Sequence, residues 1–243
     1  MLGDLWMNLL LASLAAFGLA VLSAVAGFGG GVLLLPVFTI MFGLRLAVPM
    51  LTITQLFSNG ARVWFNRHDL RWPLIGWFAL GAIPAAIAGA VLLTHAPLAP
   101  LQRLLGVFLI ATVIWRHLRP HPHEPPNPAF AGIGAVSGLG SALLGSVGPL
   151  TAPFFLAAGL TRGAYIGTEA ASALTMHMTK LTAYGAGQLL TPEVLMFGLA
   201  LTPATLLGAR VGRKIVTTIS DRIFVIVVEI GLLAAGATFL IGA

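Results

Sequence analysis

The chain has no cysteine. That excludes disulfides, thiol chemistry and Cys-ligated metals. Charge is scarce too. Asp, Glu, Lys and Arg make up 8% of the residues, against about 25% in a soluble domain, so no sizeable soluble domain is hidden here. No basic run with interleaved aromatics occurs, which argues against a nucleic-acid partner. No soluble βαβ unit surrounds the glycines at 27–31, so they are not a dinucleotide fingerprint.

What is present is apolar. Hydrophobic residues are 58% of the chain and the mean hydropathy is +0.98, so most segments are apolar all round and call for a bilayer rather than a single buried face. The net charge of +6 comes from 13 Lys and Arg against 7 Asp and Glu. Basic cytoplasmic loops account for such a surplus, and an anionic substrate would be served by it as well. The first residues hold Asp4 but no Lys or Arg. They therefore lack the positive start of a signal peptide, and 5–26 reads as a retained membrane segment.

A span takes about 20 apolar residues. The expected segments are 5–26 with a short follower 32–43, then 46–66, 73–94, 98–115, 129–160, 163–189, 193–212 and 221–242. One long polar, proline-rich stretch, 116–128, divides the chain nearly in half and reads as a loop. Two segments are broken by glycine. The first carries Gly27-Phe28-Gly29-Gly30-Gly31 and runs on to Pro36. The second carries Gly145-Ser146-Val147-Gly148-Pro149 and runs on to Pro153. Broken backbone at membrane depth is tolerated only where it is buried in protein or lines a cavity. A matched pair of breaks points to a transporter's central site.

The halves are related. A shift of 117 lays Pro36 on Pro153 and Phe38 on Phe155. A shift of 116 lays Thr52 on Thr168 and Asn59 on Thr175, and a shift of 119 lays Pro84 on Pro203 and Gly89 on Gly208. Orientation follows from the basic residues. Arg67, Arg71, Arg116 and Arg119 share one side, taken as cytoplasmic. Arg213, Lys214 and Arg222 join them only if 129–160 enters and returns. By the repeat, 5–43 is also a broken hairpin. Each half is then a hairpin plus three spans, and the odd number of crossings inverts the second copy. The expected fold is an all-α polytopic membrane protein of two inverted repeats. Repeat 1 is 1–116, the cytoplasmic loop 117–128 and repeat 2 129–243. Both ends are outside, with Arg45 as the exception to the charge rule.

The polar residues inside the spans are the candidate site. At 100° per residue, Thr168, Ser172, Thr175, Thr179 and Thr182 share an arc of about 80°. Glu169 and Lys180 lie beside that arc and His177 opposite it. In 46–66, Thr52, Gln55, Asn59 and Arg62 share a face. Small hydroxylated residues also serve plain helix packing. A charge at the bilayer centre costs roughly 3 kcal/mol and so faces a cavity or a partner. Glu169 and Lys180 stand about 16 Å apart along one helix, so each needs a partner on another segment. In this reading Lys180 meets substrate charge, and Glu169 or His177 carries a coupling proton. At the breaks, Gly29, Gly30, Gly31, Gly145, Ser146 and Gly148 let an anion approach helix N-termini. His117, His121, His123 and Glu124 match no specific metal spacing and read as a solvated loop. No catalytic residue, metal or cofactor is expected.

Gly-Phe-Gly-Gly-Gly with Pro36, the second copy ending in Pro153, and Gly159-Leu160-x-Arg162-x-x-Tyr165-x-Gly167-Thr168 together resemble the sulfite exporter (TauE/SafE-like) family. The resemblance covers nearly the whole chain. It implies a transporter of sulfur-containing anions such as sulfite, sulfonates or thiosulfate in the bacterial inner membrane, with the anion held near 27–31 and 145–149. The second copy departs from a glycine run, since Ser146-Val147-Gly148-Pro149 stands where Gly29–Gly31 stands in the first. The expected function is a secondary transporter working by alternating access, with a second copy of the chain kept as a candidate partner. The alternatives are a passive anion channel and a membrane enzyme or assembly factor.

Overall fold

The computed structural model describes residues 10–21, 31–118 and 124–215, together with 226, 229–230, 233–234, 236–237 and 239–241. Gly29 and Gly30 of the first break, and His121 and His123 of the polar loop, lie outside the described residues. Every described element is an α-helix. In chain order these are α1 (Leu10–Val21), α2 (Gly31–Phe42), α3 (Leu44–Phe65), α4 (Trp72–His95), α5 (Leu98–Leu118), α6 (Ala129–Leu144), α7 (Gly148–Ala157), α8 (Arg162–Ala186) and α9 (Pro192–Ile215). Residues 226–241 are helical wherever described. Among the described residues, α6 and α7 are shorter than α8 and α9, and α2 is shorter than α3 and α4.

Among the described residues, α4 and the first 20 residues of α9 are each long and apolar enough to cross a membrane. On α4, Leu80, Ile83, Ile87 and Val91 are exposed, as suits a face turned to lipid. The polar helices α3 and α8 instead pack on each other at the centre. Thr52, Gln55, Asn59, Thr168, Glu169, Ser172, His177 and Lys180 are all buried. The halves interlock. From the first half α4 packs on α6 and α8, and α3 packs on α9 of the second. α9 also meets α1 closely, with Gly208 against the Phe17 backbone. The α4–α6 seam is glycine-lined. Gly134 faces the Phe78 carbonyl, Gly138 the Ala82 carbonyl and Gly81 the Ala131 carbonyl. Small residues allow this backbone approach, which supplies the dispersion contacts that hold helices together in lipid.

Two further contacts fix the ends of the central pair. Arg45 Nη2 donates to Ala96 O at 3.0 Å, tying the start of α3 to the end of α4. Arg71 N donates to Thr168 Oγ1 at 3.0 Å, tying the α3–α4 loop to α8. Thr168→Val is therefore expected to cost about 1 kcal/mol, the net worth of one hydrogen bond. Because Thr168 does not line the cavity described below, anion affinity should be unchanged. Thermal stability and anion binding of the purified variant check both halves of the statement.

Candidate functional site

A narrow cavity opens between α3, α8 and the α6–α7 break. From α3 it takes Gln55, Asn59 and Arg62, which stand at i, i+4 and i+7 and so form one stripe. The stripe is internally braced. Asn59 Nδ2 donates to Gln55 O at 3.0 Å, and Arg62 Nη1 donates to Asn59 Oδ1 at 3.0 Å. From α8 come Glu169, Ala173, Met176 and His177, again a single stripe at helical spacing. Arg62 Nη2 meets Glu169 Oε2 at 2.7 Å, an ion pair that joins the two halves of the chain across the cavity. Their opposite charges offset one another, which is what makes both tolerable in the interior.

The third wall is the break itself. α6 stops at Leu144 because Gly145 takes φ +76°, a left-handed conformation that glycine adopts at least cost. A broken helix leaves its last carbonyls without intrahelical donors, and no water is available to serve them in hydrocarbon. Here they are served by α8. Lys180 Nζ donates to Ser141 O at 3.2 Å, to Ser141 Oγ at 2.8 Å and to Gly145 O at 3.0 Å. One turn on, Tyr184 Oη donates to Ala142 O at 2.6 Å. Ser146 N turns back to Leu144 O at 2.9 Å. α7 then begins with Pro149 in its first turn, where the missing N–H is no loss. Ser141, Ser146, Val147, Gly148 and Thr151 face the cavity, so the first turn of α7 forms part of its wall.

The expected site residues divide. Gln55, Asn59, Arg62, Ser146, Gly148, Glu169 and His177 line the cavity. His177 is 3% exposed, and its Nδ1 has no hydrogen-bond partner among the described residues. Gly145 and Lys180 stand directly behind the wall through the contacts just given. Gly31 opens α2. Thr52, Thr168, Ser172 and Thr175 are outside the lining. Thr52 Oγ1 donates to Val48 O at 2.8 Å and Thr175 Oγ1 to Ser172 O at 2.7 Å, so these two hydroxyls donate within their own helices. The cavity therefore takes the flank of α8 that carries Glu169 and His177 rather than its threonine arc. Ser141, Val147, Thr151, Ala173 and Met176 were not anticipated. Ser141 could have been flagged by its place one turn before Gly145, on the side that must meet a donor.

The wall offers a guanidinium, two side-chain amides, an imidazole, hydroxyls and a helix N-terminus. These are donors suited to an oxyanion. No match is found among curated proteins or among solved structures. The family model for the sulfite exporter TauE/SafE matches residues 12–239. The chain thus belongs to the sulfite exporter TauE/SafE family of membrane transporters.

Proposed function

We propose that the chain is a secondary transporter that binds a small sulfur-containing anion (sulfite, an organosulfonate or thiosulfate) in the cavity between α3, the α6–α7 break and α8. One observation carries the reading. Donors from both halves, Arg62, Gln55 and Asn59 on one side and Ser146, Gly148 and His177 on the other, converge on a single buried cavity at the second break. A site walled by several helices can be opened to either face of a membrane when groups of those helices move against each other, which is alternating access.

The architecture we propose is two inverted repeats, 1–116 and 129–243, in a bacterial inner membrane with both ends outside. The exchange of partners supports it. Under the offset that relates the halves, the pair α4 and α8 becomes α9 and α3, and both pairs are packed. Because of that interlocking, the bodies that move contain helices of both halves. Glu169 or His177 carries the coupling proton in this reading, since both are buried and both line the cavity.

The test is flux in proteoliposomes. Saturable sulfite or methanesulfonate uptake that runs uphill under a pH gradient is expected. Non-saturating flux that never exceeds equilibrium would make the protein a channel. Glu169→Gln is expected to leave downhill exchange measurable and to lower gradient-driven flux at least tenfold. Unchanged gradient-driven flux would remove Glu169 from the coupling step.

A further inference from the structure

The two ends of a broken helix oppose each other electrically. The C-terminal end of α6 carries roughly −0.5 of a charge and the N-terminal end of α7 roughly +0.5. They are separated only by 145–147. A break of this kind has little net preference for an anion. The charged side chains on the cavity wall do not supply one either, because Arg62 is matched by Glu169.

Lys180 changes that balance. It is fully buried and does not line the cavity. All three of its N–H donors have acceptors on the end of α6. Those acceptors are two carbonyls and a hydroxyl, and no carboxylate pairs with Lys180 among the described residues. Its nitrogen stands 2.8 Å from Ser141 Oγ, and Ser141 is part of the cavity wall. A lysine nitrogen with no carboxylate partner among the described residues therefore sits one residue behind the wall, on the negative end of the break. On the cavity side, the unpartnered Nδ1 of the buried His177 marks a place where a ligand is still to be met.

We propose that Lys180 gives the cavity its preference for an anion without touching the anion. The ammonium neutralises the C-terminal end of α6 and leaves a surplus of about one positive charge beside the N-terminal end of α7. A singly charged oxyanion entering the cavity completes the neutralisation. Lys180 is thus a positioning and charge-setting residue, in place of the direct substrate contact expected from the sequence. The inference rests on the cavity being the anion site.

The experiment compares two ligands of nearly the same shape on the detergent-purified full chain. Methanesulfonate is the anion and methanesulfonamide its neutral counterpart. The wild type is expected to bind the sulfonate at least tenfold more tightly. Lys180→Gln keeps hydrogen-bond donors near the end of α6 and removes the charge. It should lose most of that preference while Lys180→Arg keeps it. Tyr184→Phe removes the neighbouring bond to Ala142 O and leaves every charge in place. It should lower thermal stability with the preference intact. A wild-type preference in Lys180→Gln would overturn the proposal. So would its loss in Tyr184→Phe, a result that does not depend on whether the lysine variants fold. Failure of the wild type to bind methanesulfonate at all would instead overturn the reading of the cavity as a sulfonate site, and this proposal with it.

Discussion

Arg62→Met is expected to abolish most transport and to destabilise the protein at the same time. Arg62 is the guanidinium on the cavity wall, and a charge-assisted hydrogen bond from it to an anion is worth about 1.5–3 kcal/mol. Losing one such bond lowers affinity by about 10- to 150-fold. The same substitution strands Glu169, which is 5% exposed and whose 2.7 Å ion-pair partner is gone. Removing one member of a fully buried pair costs about 3–5 kcal/mol, and with Arg62 22% exposed the cost here falls below that. The two effects separate in a double variant. Arg62→Met with Glu169→Met removes both charges and should recover most of the lost stability, since an apolar pair of similar volume replaces a buried ion pair at little cost. Transport should stay lost. Thermal unfolding in detergent and flux in proteoliposomes check the two outcomes. A double variant that transports like the wild type would show that the anion does not need this wall of the cavity.

The membrane class was legible because it rests on composition, and composition survives any packing. The apolar runs that become α4 and α9 contain few residues that any other environment would favour. The second break was legible because Gly145 and Pro149 bracket it, and those two residues act through their own backbones. The stripe Gln55, Asn59 and Arg62 was visible on α3 because helical spacing alone places it. Partner choice was not visible. Arg62 and Glu169 are 107 apart in sequence, and nothing local says that they pair. The threonine arc on α8 does not line the cavity. Threonine hydroxyls in helices can bond back to carbonyls three or four residues earlier, and Thr175, Thr179 and Thr182 do so. Lys180 needed a partner on another segment, and the one it has is a helix end. A helix end carries no sequence mark beyond the glycine that stops it. Tyr184 stands four residues after Lys180 and is one of 2 tyrosines in the chain, yet nothing local marks it as the second donor to that helix end.

Gly134→Leu is expected to be strongly disruptive although it lies outside the cavity. α4 and α6 are joined along a seam where backbone meets backbone, at Gly134 with Phe78, Gly138 with Ala82 and Gly89 with Leu139. A side chain at Gly134 would run into the Phe78 carbonyl. Backbone cannot swing aside as the tip of a flexible side chain can, so the helices must part. In lipid there is little hydrophobic gain between helices to pull them back. Overpacking alone costs typically 1–3 kcal/mol, and the loss of the neighbouring contacts adds to it, for an expected total of roughly 3 kcal/mol or more. Gly132→Leu is the matched control. It adds the same side chain to the same helix, but nothing stands within 4 Å of the position, so little change is expected. Thermal unfolding of the two variants in one detergent makes the comparison, and equal midpoints would show that the seam is not a tight contact. The seam also bears on the site. α6 carries Ser141 and ends at the carbonyls held by Lys180 and Tyr184. An α6 displaced at Gly134 would move that end relative to α8. A partly folded Gly134→Ala should therefore bind anion more weakly than its loss of stability alone accounts for.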